Sequence, residues 1–247
     1  MIDSTPTFTH IWVYLTASPL LSLTLTLAAY MAAFALYRRS GFHPLVNPVL
    51  LSVVFLVLVL TLTHTSYHSY FQGAQFIHFL LGPATVALAV PLFRQVPKLK
   101  RAFLPLMGGL VAGSLTAILS TVVIAHLLGA SWQTLASMAP KSVTTPIAMA
   151  VAEKIGGLPS LTAVLVIMTG VIGAVLGPMV LKLLRIHRHD VGGFSMGIAS
   201  HGIGTARAFQ VSAEMGAFSG LAMGLNGIFT AIVVPLLMPF LAAWAGH

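Results

Sequence analysis

Long apolar runs separated by short basic loops organise this chain from one end to the other. Runs near 18–37, 45–63, 102–127, 158–184 and 217–243 each hold about 20 residues or more, the length a helix needs to cross ~30 Å of hydrocarbon. They are continuous rather than alternating, which excludes a transmembrane β-barrel. The pattern predicts an all-α polytopic membrane protein. A further run, LLGPATVALAVP over 80–91, predicts a span kinked at mid-depth by Gly82 and Pro83, with Thr85 placed to re-satisfy the freed backbone.

The basic residues set the orientation. Arg38 and Arg39 follow the first run, Arg94, Lys98, Lys100 and Arg101 follow the run at 80–91, and Lys182, Arg185 and Arg188 lie at and beyond the end of the run at 158–184. An excess of Lys and Arg marks cytoplasmic loops, so these three loops are predicted inside. The connections 64–71 and 128–131 carry neither residue and are predicted outside. His10, Trp12 and Tyr14 suit an interfacial segment before the first span.

Counting crossings leaves two segments that gain no net depth. Residues 132–156 start and end outside, so a re-entrant hairpin is predicted there, with its tip near Pro140–Thr145. Residues 192–216 start inside; they either dip in and return or form a broken crossing helix, and the re-entrant form is preferred. The final span then carries the C-terminus outward. Thr144, Ala152, Glu153 and Pro178 recur 61 positions later as Thr205, Ala213, Glu214 and Pro239. Two hairpin-plus-span units entering from opposite sides form an inverted repeat, a plan used by many secondary transporters. The expected architecture is therefore about six full spans plus two hairpins of opposite orientation. Residues 1–128 would be mainly scaffold and 129–247 would hold the repeated units, within one integral membrane domain.

Composition agrees and narrows the chemistry. The chain is 57% hydrophobic and 6% charged, with mean hydropathy +0.98, whereas soluble domains carry roughly 25% charged residues. Its net charge of +8 comes from residues flanking the apolar runs, which argues for topology signals over nucleic-acid binding. Asp3 stands where a signal peptide would be basic, so no cleaved leader is expected. Cysteine is absent, removing disulfides, thiolate metal sites and cysteine nucleophiles together.

The polar residues gather at the two predicted tips. In MAPKSVTTPIAM (138–149), Ser142 or Thr144 can cap a helix start, and Pro146 suits a first turn. A helix N-terminus attracts anions, and Lys141 adds a full charge, although it could equally snorkel outward. Thr145 stands beside the cap. In SHGIGTARAFQ (200–210), Gly202 and Gly204 permit a sharp turn and close approach, with Thr205 as cap. Arg207 then lies in the first turn, sharing a face with Gln210 and Glu214. An intramembrane arginine is a functional candidate by default, and its planar fork suits a carboxylate. It could also hold the hairpin through Glu214 or a carbonyl. His201 can serve proton coupling or simply close the turn. Asn226, inside the last span, either bonds across helices or reaches the site. Gly108, Gly109, Gly113, Gly170, Gly173 and Gly177 allow close helix approach.

Two tempting motifs fail. GIGTARA lacks the strand–helix context of a dinucleotide loop. Ser200 and His201 are adjacent, with no acidic orienter evident, so no hydrolytic triad is formed. No metal-ligand pattern is present either. The chain is therefore read as a non-enzyme with no cofactor; coupling to H⁺ or Na⁺ leaves no signature.

APKSVTTPIAMAVAEKIGG, LLGPATVALAVPL and ASHGIGTARAF together resemble the LrgB/CidB membrane protein family over roughly 45–243. That family includes bacterial antiholin-like proteins and is similar to the C-terminal part of the plastid glycolate/glycerate translocator. The resemblance implies an inner-membrane protein of about seven or more membrane segments, often beside a smaller LrgA/CidA-like partner. It implies two activities: transport of small monocarboxylates such as glycolate, glycerate or pyruvate, or control of murein hydrolase activity and lysis. The expected function is a carrier that holds its anion between the tips on Lys141 and Arg207, with Ser142, Thr144, Thr145 and Thr205 reading its hydroxyl or carbonyl. Pro83 and Thr85 would wall the cavity, and Gln210 and Glu214 would support it. A homodimer is expected, since moving-core carriers commonly need a fixed scaffold.

Overall fold

Apolar runs this long fold into helices because no other open structure satisfies its own backbone in lipid. The computed structural model describes residues 19–42, 46–80, 83, 86–87, 90 and 93–246, and among them there is no strand. Two compact units divide the chain, Met1–Ala87 and Leu88–His247. His10, Trp12, Tyr14, Gly82 and Thr85 lie outside the described residues, while Pro83 is helical and exposed.

The first unit contains α1 (Pro19–Arg39), α2 (Pro48–Leu62) and α3 (Tyr67–Phe79), with α1 packed on both others. Asn47 starts α2: its side chain accepts from the Val49 and Leu50 amides at 2.9 and 3.1 Å, and Pro48 occupies the first turn. Thr26 Oγ1 meets the Tyr70 hydroxyl at 2.7 Å, joining α1 to α3. The 45–63 run is realised as a helix of 15 residues, about 22 Å long at 1.5 Å per residue.

The second unit contains α4 (Val96–Arg101), α5 (Phe103–Leu127), α6 (Trp132–Met138), α7 (Thr145–Lys154), α8 (Pro159–Leu183), α9 (His189–Val211) and α10 (Ala213–Ala245). Four described helices are long and apolar enough to cross a membrane: Leu20–Arg39, Phe103–Leu127, Pro159–Leu183 and Ala213–Ala245. Their outward faces expose Met31, Met179, Ile228, Leu236 and Phe240. In water so much exposed apolar surface would aggregate, whereas lipid matches it. This is a multi-pass membrane protein.

The pair α5·α10 carries a core cluster at each end. At one end Ile118, Val122, Val234 and Met238 pack with Ala136, Ala139 and Val151 of the α6–α7 segment, flanked by Trp132 and Ile155. At the other, Leu106, Leu110, Phe218 and Ala222 pack with Phe194 and Ile198 of α9. The α6–α7 segment thus sits at the far ends of α5 and α10, and the first arm of α9 at their near ends.

Glycines set how closely α9 approaches its neighbours. A Cβ at Gly193 would fall on the Met215 carbonyl oxygen, and one at Gly197 on the Ser219 carbonyl oxygen. Gly170 and Gly173 of α8 leave room for His201 and Ser200 in the same way. Helices associate in lipid mainly through such close packing, since apolar burial drives nothing there. Gly193→Ala is expected to lower stability by about 1–3 kcal/mol, the usual cost of overpacking, because the clash is with backbone that cannot rotate away. Thermal unfolding in detergent beside the lipid-facing control Ile228→Leu, expected near wild type, checks it.

Candidate functional site

Two interruptions of regular helix define the site. The first is the turn 139–144 between α6 and α7. Ser131 caps α6, accepting from the Thr134 amide at 3.4 Å, and the chain leaves α6 after about two turns. Ser137 then anchors the return: its Oγ accepts the Leu158 amide at 2.8 Å, and its carbonyl accepts Thr162 Oγ1 at 3.1 Å. The segment therefore folds back on itself. Thr144 precedes α7 with extended backbone but no side-chain capping bond, so geometry rather than a hydroxyl starts that helix, with Pro146 in its first turn. Ser142 is buried, and Lys141, Thr144 and Thr145 are half-buried. No carboxylate among the described residues pairs with Lys141.

The second interruption lies inside α9 at His201, whose backbone is at φ 40° and ψ −134°. The break falls at the histidine rather than at Gly202 or Gly204. Left-handed φ is costly for a residue with a Cβ and persists only where the surroundings enforce it. Here a buried contact enforces it: His201 Nε2 lies 2.9 Å from the Val166 carbonyl, which can only accept, so the ring donates from Nε2. Thr205 does not cap a new helix. Its hydroxyl bonds the His201 carbonyl at 2.8 Å and Ser219 Oγ at 2.9 Å, tying the break to α10. Gly204 is needed for close approach to Ser200, while Gly202 has only Met223 sulfur nearby, at 3.8 Å.

α9 also folds back. His189 Nδ1 at its start and Ser212 Oγ after its end are 2.9 Å apart. Ser212 caps α10 as well, accepting from the Met215 amide at 3.1 Å. Arg207 is half-buried and donates from Nη1 to Gln210 Oε1 at 3.0 Å, the i to i+3 pair expected from spacing. Glu214 pairs with Lys98 of α4 instead of Arg207.

Asn226 joins the interruptions. It is 1% exposed, at mid-length of α10. Its Nδ2 donates to the Ser142 carbonyl at 3.3 Å and to the Ile198 carbonyl at 3.1 Å. Its Oδ1 accepts Ser114 Oγ of α5 at 2.6 Å and Thr230 Oγ1 at 3.4 Å. Two donors and one carbonyl oxygen are thus all engaged by protein. One side chain holds the first turn, the residue three before the second break, and the middle of α5.

Charges concentrate at the end of the unit where α9 begins. Asp190, 2% exposed, accepts Arg188 Nε at 3.2 Å and Nη2 at 2.6 Å, and also the Val191 amide at 2.9 Å. Lys98 Nζ lies 3.7 Å from Asp190 Oδ2 and in contact with Glu214 Oε1. The Arg188 fork is the main cause holding the Asp190 carboxyl below its usual value of 3.8, with Lys98 adding to it, and the Glu214 bond lifts Lys98 above 10.5. Sequence reasoning took Lys98 and Arg188 as topology signals and passed over Asp190 and Ser114. Asp190 had one signal, being one of only four acidic residues in the chain. Among the described residues no group of three His, Cys, Asp or Glu could hold a metal.

Asn226→Ala is expected to cost about 2–3 kcal/mol in thermal unfolding, because two buried carbonyls lose their donor. Asn226→Asp should cost more, since a carboxylate opposes both carbonyls. The Asp190 pairing has a defined pH window. A carboxyl depressed on folding adds stability that is fully present above its unfolded value near 3.8 and lost as pH falls through its folded value. The melting difference between wild type and Asp190→Asn should therefore be largest near neutral pH and shrink below pH 4.

Known proteins place this sequence. Residues 26–240 match the model of the LrgB-like family. YwbG of Bacillus subtilis (strain 168), described as uncharacterized, is 40% identical over 222 residues, covering 90% of this chain and 98% of that protein. YxaC of the same organism, also described as uncharacterized, is 37% identical over 216 residues, 87% of this chain and 94% of the relative. The antiholin-like protein LrgB of Bacillus cereus (strain B4264) is 31% identical over 226 residues, 92% and 98% of the two chains. No solved structure matches. With nearly its whole length matched, the chain belongs to the LrgB-like family.

Proposed function

We propose that this chain is an antiholin-like membrane protein, restraining murein hydrolase activity and lysis from the inner membrane beside an LrgA/CidA-like partner. The family match and the printed name of the Bacillus cereus relatives support this reading. In this reading the C-terminus lies outside and the chain works as a homodimer. Its expression in a lysis-prone bacterial host should lower autolysis and released murein hydrolase activity. An unchanged lysis rate at verified membrane expression sinks it.

A second reading, a secondary carrier for small monocarboxylates, is favoured by one observation. Asn226 ties two backbone interruptions, from segments at opposite ends of α5·α10, to one point at mid-helix. Irregular backbone at such depth is tolerated only inside protein or beside a wet cavity, and carriers use it to bind substrate. In this reading the hairpins form an inverted repeat among about six spans, in a chain whose first 128 residues are mainly scaffold. Lys141 and Arg207 hold the carboxylate, Ser142, Thr144, Thr145, Thr205 and the backbone at Gly202 and Gly204 surround it, and His201 and Asn226 position the tips. Gln210 supports the walls through its bond with Arg207, and Glu214 supports them from the start of α10. The two readings are compatible if solute flux is what affects lysis.

Uptake of labelled glycolate, lactate or pyruvate into proteoliposomes tests the carrier. Arg207→Ala should reduce it at least about tenfold, the loss expected for a charge-assisted bidentate contact. Uptake that survives intact removes Arg207 from the binding role, and absent uptake in wild type removes the carrier reading.

A further inference from the structure

α4 is only six residues long, yet it reaches α5, α9 and α10 near the start of α9. Leu99 and Ala102 beside it pack against the cluster of Phe194, Phe218 and Leu106, which holds α9, α10 and α5 together. The preceding residue, Lys98, turns to the polar side and reaches the first turns of both α9 and α10 through Asp190 and Glu214. Four charges, Lys98, Arg188, Asp190 and Glu214, balance to zero at this point. Asp190 is the buried member, and Lys98 is 45% exposed.

These contacts lie across a mouth. The arms of α9, residues 189–200 and 202–211, run in to the break at His201 and back, each about 15–18 Å long. Their outer ends are held together by His189 and Ser212. Beyond that bond α9 meets α10 at this end through the glycine seam at Gly193, the buried packing of Met196 and Ala208 against Met215, and the two carboxylates bridged by Lys98. The seam and the Met196–Met215 packing are apolar contacts. The bridge is the polar fastening.

We propose that α4 is a strap across the mouth of the α9 hairpin and that Lys98 is its latch, so that releasing Lys98 from Asp190 and Glu214 admits water to the break at His201. The apolar side of the strap stays seated through Leu99, which makes the motion a local opening rather than unfolding. Arg188 keeps Asp190 charge-paired when Lys98 leaves, so the opened state does not strand a buried carboxylate. Lys98, being partly solvated already, pays little to leave. The strap works the same way whether the chain is a regulator or a carrier.

The absence of cysteine makes the test clean. Gly202→Cys puts one thiol beside the break, where only Met223 sulfur is close, and Ser142→Cys puts one at the other interruption. Each reporter chain is reconstituted whole in lipid nanodiscs and reacted with a water-soluble maleimide, with and without Lys98→Gln. The expected result is about fivefold faster labelling of the Gly202→Cys chain and an unchanged rate for the Ser142→Cys chain, the size following from one partly exposed bridge. Lys100→Gln, which removes an equal charge from the same helix, should leave both rates unchanged. The proposal is overturned if Lys98→Gln leaves the first rate within twofold, if it accelerates both reporters alike, or if Lys100→Gln acts as strongly. Glu214→Gln removes the bridge from its other end and must reproduce the effect, which keeps the idea falsifiable should Lys98→Gln not fold. Lys98→Arg, keeping the charge, should restore slow labelling.

Discussion

Lipid offers no hydrogen bonds, so every backbone polar group that leaves the helical ladder at membrane depth must find a partner within the protein. Much of this structure answers that constraint. Two segments abandon regular helix, and each leaves carbonyls facing inward. Asn226 supplies one donor to each, and Ser114 and Thr230 complete the shell around its own carbonyl. An apolar residue there would pack but strand both segments. A charged one would add desolvation to the same loss.

From that point the local chemistry can be followed outward. His201 adopts its unusual backbone because its ring reaches the Val166 carbonyl across α8, and Gly170 and Gly173 give that ring and Ser200 room. Thr205 and Ser219 tie the second arm to α10. The first hairpin is held by Ser137, which serves an amide and a hydroxyl at once. At the end facing α4 the constraint changes, because water is near and charges become affordable in pairs. The four-charge group stands there and not at the breaks.

How much of this could be read from residues alone varied with the range of the interaction. Hydrophobic run length is a local property, so the long helices and the two departures from them were visible, with the first turn expected near Pro140–Thr145 and found at 139–144. The family was legible because three separate motifs carry it. The second break falls inside the expected tip, 200–210, but at His201 rather than at the glycine pair, because the deciding contact comes from Val166, 35 residues away. The capping roles assigned to Thr144 and Thr205 followed from residue type. Tertiary partners instead took Thr205, and Thr144 starts its helix without them. Lys98 looked like a topology signal because its partners lie 92 and 116 residues further on. Whether Lys141 and Arg207 act on a common anion was never a question of pattern, because it depends on a ligand.

The glycine seam along α9 has a further consequence for how this sequence can vary. Where Ile228, Leu236 and Phe240 face outward, lipid is an undemanding neighbour that accepts any apolar side chain of suitable length. Where Gly193 and Gly197 meet backbone oxygens, the neighbour is main chain, and no rotamer can make way for even a methyl group. Mutational tolerance in this protein should therefore run opposite to that of a soluble globule. Large lipid-facing residues are freely exchangeable, and the glycines of the seam are fixed.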